Sequence, residues 1–195
     1  MLSWETLSAA VSVCGRCRLC ATRTNTVLGE GSPRSGIMFV GEGPGREEDA
    51  TGRPFVGAAG QLLDRMIAAI GLSRQDVYIA NIVKCRPPNN RVPAASEAIC
   101  CLPYLRAQFL LLSPKIIVCL GATAARYVYD ENVRITRDRG VFKHKKGVWI
   151  VPTYHPAALL RDPAKKKDAW VDFQTIRDKR KELVELGLLE DLHLT

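Results

Sequence analysis

Four short runs of apolar residues along the chain predict buried β-strands. The runs cover residues 37–40, 77–80, 116–120 and 148–151, and they are rich in β-branched and aromatic side chains. None of them alternates with polar residues, which favours strands covered on both faces over strands with one solvated face. The pattern therefore predicts a parallel sheet.

Longer segments with helical spacing separate these strands. Apolar side chains recur three and four residues apart within residues 60–70, and Ser96 is a candidate N-cap for a helix that runs to about residue 112. Two further helices are predicted at 122–129 and 168–186. Strands that alternate with helices indicate an α/β layered fold. The residues after Gly187 carry no pattern beyond that of a surface tail.

Glycine-rich or polar segments follow each of the four predicted strands. GEGPG at 41–45 follows the first strand, Asn81 the second, Gly121 the third and TYHP at 153–156 the fourth. In parallel sheets ligands bind beyond the carboxyl ends of the strands. The sequence therefore predicts a functional site at that edge of the sheet.

The composition is that of a globular protein with an excess of positive charge. The 195 residues include 28 Lys and Arg against 20 Asp and Glu, a formal net charge of +8. We expect one domain over 1–195 and a polyanionic partner. The chain has no apolar run long enough for a membrane span and no signal-peptide pattern at its start, so we expect a cytoplasmic protein with no membrane partner.

Seven cysteines in such a chain indicate metal binding better than they indicate disulfides. Cys14 and Cys17 form a CxxC pair, Cys85 follows the second predicted strand, and Cys101 lies in the next predicted helix. Four thiolates suit either a zinc ion or a [4Fe-4S] cluster, and spacing alone does not choose between them. A redox-active CxxC pair is the alternative, and Cys20 is a rival ligand.

The remaining cysteines favour inert roles. Cys119 lies in an apolar strand, where a buried thiol is expected. Cys100 and Cys101 are neighbours on a predicted helix and point about 100° apart, so only one of them easily faces a shared cluster.

Five motifs in order along the chain resemble those of family-4 uracil-DNA glycosylases. They are GEGPGREED at 41–49, GRPFVG at 52–57, GQLL at 60–63, NIVKCRPP at 81–88 and HPA at 155–157. The resemblance covers about residues 14–163. It implies a three-layer α/β/α sandwich around a central four-stranded parallel sheet. It also implies a monomeric, monofunctional enzyme of base excision repair that removes uracil from single- or double-stranded DNA and leaves an abasic site.

The resemblance implies an iron–sulfur cofactor. The family holds a [4Fe-4S] cluster on four cysteines, and the matching positions are Cys14, Cys17, Cys85 and Cys101. Pro103, two residues after Cys101, favours Cys101 over Cys100 as the fourth ligand. A structural role is expected, in which the cluster joins the N-terminal loop to the loop after the second strand.

The resemblance also implies roles for five residues around the base. His155 donates a hydrogen bond to uracil O2, and Asn81 recognises the O4 and N3–H edge. Phe55 stacks on the flipped base, and Gly43 brings its backbone N–H close to it. Glu42 positions the attacking water and offsets positive charge on the sugar.

Further positions carry expectations about thymine exclusion and DNA contact. Glu48 is expected near uracil C5, where it excludes the thymine methyl, and the adjacent Glu47 and Asp49 are the alternatives for this role. Leu159 resembles the residue that fills the gap left by the flipped base, and Arg161 with the lysines at 165–167 is placed to contact phosphates. Ala157 departs from the frequent HPS form of the last motif, so one phosphate contact is in doubt.

Each of these residues also has an ordinary structural interpretation. His155 can be a satisfied structural histidine, Asn81 a turn residue, Phe55 plain core, and the acidic residues a favourable charge at a helix N-terminus. Lys84 leaves a lyase step weakly open.

Other protein classes also fit part of the pattern. A zinc-stapled nucleic-acid-binding module or an electron-transfer iron–sulfur protein would explain the charge or the cysteines alone. A covalent uracil-binding relative would need a histidine after the second motif block, where residues 89–91 are Asn-Asn-Arg.

Overall fold

The computed structural model describes residues 1–191 of the chain. Its strands are β1 Glu30–Gly31, β2 Ile37–Gly41, β3 Tyr78–Asn81, β4 Ile116–Leu120, β5 Lys143–Lys145 and β6 Val148–Thr153. They form one sheet in the spatial order β1-β3-β2-β4-β6-β5. The four central strands are parallel, whereas β1 and β5 pair antiparallel at the two edges.

The predicted parallel sheet is confirmed at its centre and extended at both edges. All four predicted strands are present within one to two residues of their predicted ends. The two additional strands contain two and three residues, and both consist of charged residues, histidine or glycine. They escape sequence detection because their backbone pairing needs no apolar run.

Among the described residues, helices separate the central strands, as the pattern predicts, and further helices precede the first strand and follow the last. They are α1 Trp4–Ser12, α2 Arg46–Thr51, α3 Ala58–Ala68, α4 Ala95–Leu112, α5 Ala122–Val128, α6 Ile135–Asp138, α7 Pro156–Arg161 and α8 Lys166–Glu185. Ser96 lies inside α4 rather than at its cap: the N-cap is Ala94, whose N–H donates to the Glu97 carboxylate at 2.8 Å. No helix within 1–191 is long and apolar enough to cross a bilayer.

Helices cover both faces of the sheet and give the expected three layers. Along β2, Met38 and Val40 pack into the apolar cluster beneath α4 and α5. The alternate residues Ile37 and Phe39 pack into a second cluster with α3 and α8. Because successive side chains of a strand point to opposite faces, one unbroken apolar strand serves both clusters.

The end of the described chain is more than a surface tail. Gly187, with φ of +67°, ends the turn after α8, and Leu189 then packs partly buried against the second apolar cluster, next to Gly36. The predicted surface tail is therefore wrong for Leu189, and the rest of that stretch, 192–195, lies outside the described residues.

Candidate active site

The carboxyl ends of the central strands meet at one edge of the sheet. Gly41 of β2 pairs with Asn81 of β3, and Leu120 of β4 pairs with Thr153 of β6. A pocket opens directly beyond these pairs. Of the eight predicted site residues that are not cysteines, all except Leu159 line it. The strand-end argument therefore points to the edge of the sheet at which this pocket opens.

His155 enters the pocket as a neutral hydrogen-bond donor. It is the N-cap of α7, and its Nδ1 accepts a hydrogen bond from the Ala157 N–H at 3.1 Å. That bond occupies the Nδ1 lone pair, so the ring proton sits on Nε2. Burial, and secondarily the positive charge of Arg161, lower the pKa of His155 from 6.5 to about 4. The imidazole is therefore uncharged at neutral pH.

Asn81 lines the pocket and has an unpaired acceptor. The residue is 1% exposed. Its Oδ1 is buried and has no hydrogen-bond partner among residues 1–191. A buried acceptor without a donor is destabilising by about 1–3 kcal/mol. Gly41 makes this placement possible, since a Cβ at that position would collide with Oδ1.

Phe55 lies beside His155 in a strained conformation. Its ring centroid is 5.6 Å from that of the imidazole, and its backbone φ is +53°. A left-handed backbone at a non-glycine residue is unfavourable by about 1–2 kcal/mol. Arg74 holds it there, donating to the carbonyls of Phe55, at 3.1 Å, and of Pro54. Gly60 is also required, because a side chain at that position would strike the Phe55 carbonyl.

Glu42 follows β2 and reaches the neighbouring strand end. Its Oε2 accepts a hydrogen bond from the Thr123 hydroxyl at 2.5 Å. Gly43, the next residue, lies close to Val83: an added Cβ would stand 2.7 Å from the valine Cγ2. Only glycine fits here without displacing that neighbour, so the chain passes the pocket with its backbone uncovered by a side chain.

Glu48 ties two loops of the pocket together. Its Oε2 accepts from the Gly45 N–H, and its Oε1 accepts from the N–H groups of Val56 and Gly57, all at 3.0 Å. The residue lies in the first turn of α2, where negative charge is favoured. It therefore has a structural function whether or not it also contacts a base.

Six of the seven cysteines line a second cavity. It lies where three segments meet: the N-terminal loop, helix α4 and the segment that follows β3. The six cysteines are Cys14, Cys17, Cys20, Cys85, Cys100 and Cys101. Arg23 donates to the Cys85 Sγ at 3.1 Å, and the Lys84 N–H donates to the Cys101 Sγ at 3.2 Å. Donors and cations aimed at sulfur suit thiolate ligands. Cys119, by contrast, is fully buried in β4 and remote from this cavity, as expected.

The donors around this cavity suit a metal group bound by thiolates. Zinc and a four-iron cluster both take four thiolates, so the cysteines alone do not choose between them. Within residues 1–191 no group of three His, Cys, Asp or Glu side chains is arranged as ligands of one ion.

Comparison with known proteins identifies the family. The family model of the uracil DNA glycosylase superfamily matches residues 28–174. The chain is 50% identical over 187 residues to a type-4 uracil-DNA glycosylase of Sulfurisphaera tokodaii, covering 91% of this chain and 85% of that protein. It is 49% identical over 160 residues to one of Thermotoga maritima, covering 81% and 83%. This chain belongs to the type-4 uracil-DNA glycosylases.

Within this type-4 member, one predicted DNA contact is wrong. Leu159 is 1% exposed and packs with Leu62, Tyr154 and Ala169 beneath the pocket. A side chain that fills a gap in DNA must project from the surface, and the helical turn of α7 directs Leu159 inward instead. Its neighbour Leu160 is 41% exposed. Arg161 is exposed and lines the pocket, so it remains available to DNA.

Sequence reasoning missed two residues that shape the pocket of this type-4 protein. Thr123 holds Glu42, and Arg74 holds the Phe55 loop. The rule of strand ends gave a signal for the first, because Thr123 lies two residues after Gly121. Nothing local marks Arg74, which lies 19 residues from Phe55 in sequence.

Proposed function

We propose that this chain is a monofunctional uracil-DNA glycosylase that hydrolyses the N-glycosidic bond of a uracil turned out of DNA. The observation that carries the proposal is the unpaired Oδ1 of Asn81, buried at the pocket wall. An orphaned acceptor requires a ligand that brings an N–H group. Uracil N3–H is such a donor, whereas cytosine has a lone pair at N3. With the amide in this orientation, Oδ1 therefore pairs with uracil N3–H and not with cytosine N3.

Three neighbours complete recognition of the base. The Phe55 ring provides a face for stacking, and its contact with His155 fixes that face relative to the donor. Gly43 leaves its backbone accessible to the base. Glu48 lines the same pocket, and we assign it the exclusion of the thymine methyl at C5.

The chemistry follows from the two groups on either side of the bond. Water adds to C1′ as the C1′–N1 bond breaks, and the bonding electrons leave with the base as an anion. The proton that the water loses on forming the C1′ hydroxyl then neutralises the departed uracil anion. His155 stabilises that anion through an Nε2–H hydrogen bond to O2, for which a neutral imidazole suffices. Glu42 orients the water and offsets the positive charge that develops on the sugar. Both groups lie on fixed strand ends, so little reorganisation is needed.

The surroundings of Lys84 support a hydrolase without a lyase step. Its ammonium is buried and donates to the Asn81 carbonyl at 2.8 Å and to the Gln108 Oε1 at 2.6 Å. It does not line the pocket, so it is badly placed to attack C1′. Arg161 and the lysines at 165–167 are assigned to the phosphates on the rim.

A [4Fe-4S] cluster on Cys14, Cys17, Cys85 and Cys101 is part of the proposal. When bound it supplies a cross-link between the N-terminal loop and the segment that follows Asn81. Arg23 and the Lys84 N–H donate to the ligand sulfurs of Cys85 and Cys101. Cys20 and Cys100 line the same cavity and are the alternative ligands. Iron and sulfide analysis tests this: zinc in place of iron contradicts it.

The remaining assignments are a single glycosylase domain, a monomer and a cytoplasmic location. All strands described belong to one sheet, which is consistent with one domain. A DNA substrate and thiolate ligands that need a reducing compartment are consistent with the cytoplasm.

The proposal is tested by single-turnover excision on uracil-containing DNA, single- and double-stranded. We expect Asn81→Ala and His155→Ala each to lower the rate by about 10²-fold or more, as for other groups that bind developing charge. Asn132→Ala and His144→Ala are matched controls, since both residues are exposed and neither lines the pocket. Iron content and circular dichroism report integrity. Unchanged rates in both pocket variants, or equal excision of cytosine, would refute the assignment.

A further inference from the structure

The segment after β4 lies between the two catalytic strand ends. In the sheet order, β4 stands between β2, which leads to Glu42, and β6, which leads to His155. Gly121 turns the chain with φ of +89° and donates its N–H to the Thr153 carbonyl at 2.8 Å. The next helix then places Thr123 in the pocket wall.

Thr123 contacts the Glu42 carboxylate and leaves one of its oxygens free. The hydroxyl donates to Oε2 at 2.5 Å, and for residues 1–191 this is the one hydrogen bond given to that carboxylate. Oε1 remains for other ligands. Threonine is suited to this contact because its branched Cβ restricts rotation and its backbone is fixed in a helical turn.

We propose that Thr123 is a positioning residue for the hydrolytic step, acting through Glu42. A glutamate carboxylate without a partner rotates about its last torsion and presents either oxygen in many directions. Anchoring Oε2 to Thr123 directs Oε1 to one place, where it orients the water that attacks C1′. The inference rests on the proposed function, in which Glu42 serves that water. It adds a residue that assists the reaction through another side chain.

The first test compares variants of the hydroxyl. In single-turnover excision, Thr123→Ala should lower the rate about 10- to 100-fold, the range expected for a hydrogen bond to a charged group. Thr123→Ser keeps the hydroxyl and should restore most of the rate. Affinity for DNA carrying an uncleavable uracil analogue should stay within about twofold, because the base-binding groups are untouched. Thr175→Ala is the matched control, since this helical threonine lies on α8 away from the pocket.

The second test asks whether Thr123 acts through Glu42. In a Glu42→Ala background, Thr123→Ala should lower the remaining rate no further, because the group it positions is gone. An equal loss in both backgrounds, a serine variant as slow as the alanine one, or a Thr123→Ala enzyme as fast as the parent would overturn the inference. In each case the parent enzyme still excises uracil. Absence of excision by the parent would instead overturn the proposed function.

Discussion

The neutral state of His155 gives a quantitative prediction about pH. The pKa of this imidazole is lowered from 6.5 to about 4, first by burial and then by the charge of Arg161. The enzyme should therefore keep its donor in one protonation state at every pH above about 5. We expect the single-turnover excision rate to show no step at pH 6.5 from this residue. The rate should fall through protonation of the imidazole only as the pH approaches 4.

The same lowering of the His155 pKa makes the stability of the fold dependent on pH. Between pH 6.5 and 4 the unfolded chain binds a proton at this histidine and the folded chain does not. The free energy of unfolding therefore falls as the pH is lowered through that interval and is unaffected by His155 above it. For a pKa lowered from 6.5 to about 4, the total loss in the free energy of unfolding across this interval is about 3 kcal/mol. His155→Gln should remove this part of the pH dependence, because glutamine does not titrate.

Nuclear magnetic resonance of the ring protons measures this pKa directly. The chain has three histidines, so the His155 resonance can be assigned by its absence in His155→Gln. His144→Gln is the control, since His144 is exposed on an edge strand. A ring that titrates near 6.5, or an excision rate that halves there in parallel with it, would show that burial does not hold the imidazole neutral. The proposed role of an uncharged donor would then be wrong.

Two more predictions concern the groups that shape the pocket. Gly41→Ala should lower the excision rate at least about tenfold while iron is retained, because the added Cβ would overlap Asn81 Oδ1 and the Phe55 ring. Single-turnover kinetics and iron analysis check this. A normal excision rate would contradict the close approach of Gly41 to Asn81. Arg74→Met should weaken binding of uracil-containing DNA several-fold, because the strained Phe55 loop loses its hydrogen-bond donor. The control Arg65→Met, at an exposed arginine, should not weaken it. Equal DNA affinities of the two variants would show that the loop keeps its conformation without Arg74.

Local patterns predicted most of the fold because strands and helices leave periodic marks. Residues 116–120 are fully apolar, and that alone identifies β4 and its burial on both faces. The antiparallel edge strand β5 has no such mark, since the edge of a sheet needs only backbone hydrogen bonds. The misplaced cap of α4 has a different cause, because the Glu97 carboxylate accepts from the Ala94 N–H and the helix begins before Ser96.

The candidate site residues could be named from the sequence, but the physical state of their side chains could not. Strand ends and motif likeness pointed to Asn81 and His155 without any contact being known. The unpaired Oδ1, the tautomer set by the Ala157 N–H and the lowered pKa of the imidazole depend on what surrounds each side chain. Leu159 is the opposite case, because its position in the motif was clear while its direction depended on how α7 packs.

The amino-acid sequence by itself determined the strands, the helices, the edge at which ligands bind and the family. These features depend on residues close together in sequence, and they appear there as hydrophobic periodicity and short motifs. Tertiary structure alone decided which atoms meet across long separations: Thr123 with Glu42, 81 residues apart, and Cys85 with Arg23, 62 apart. Such contacts arise when separately specified elements pack, and no local pattern encodes the distance between them.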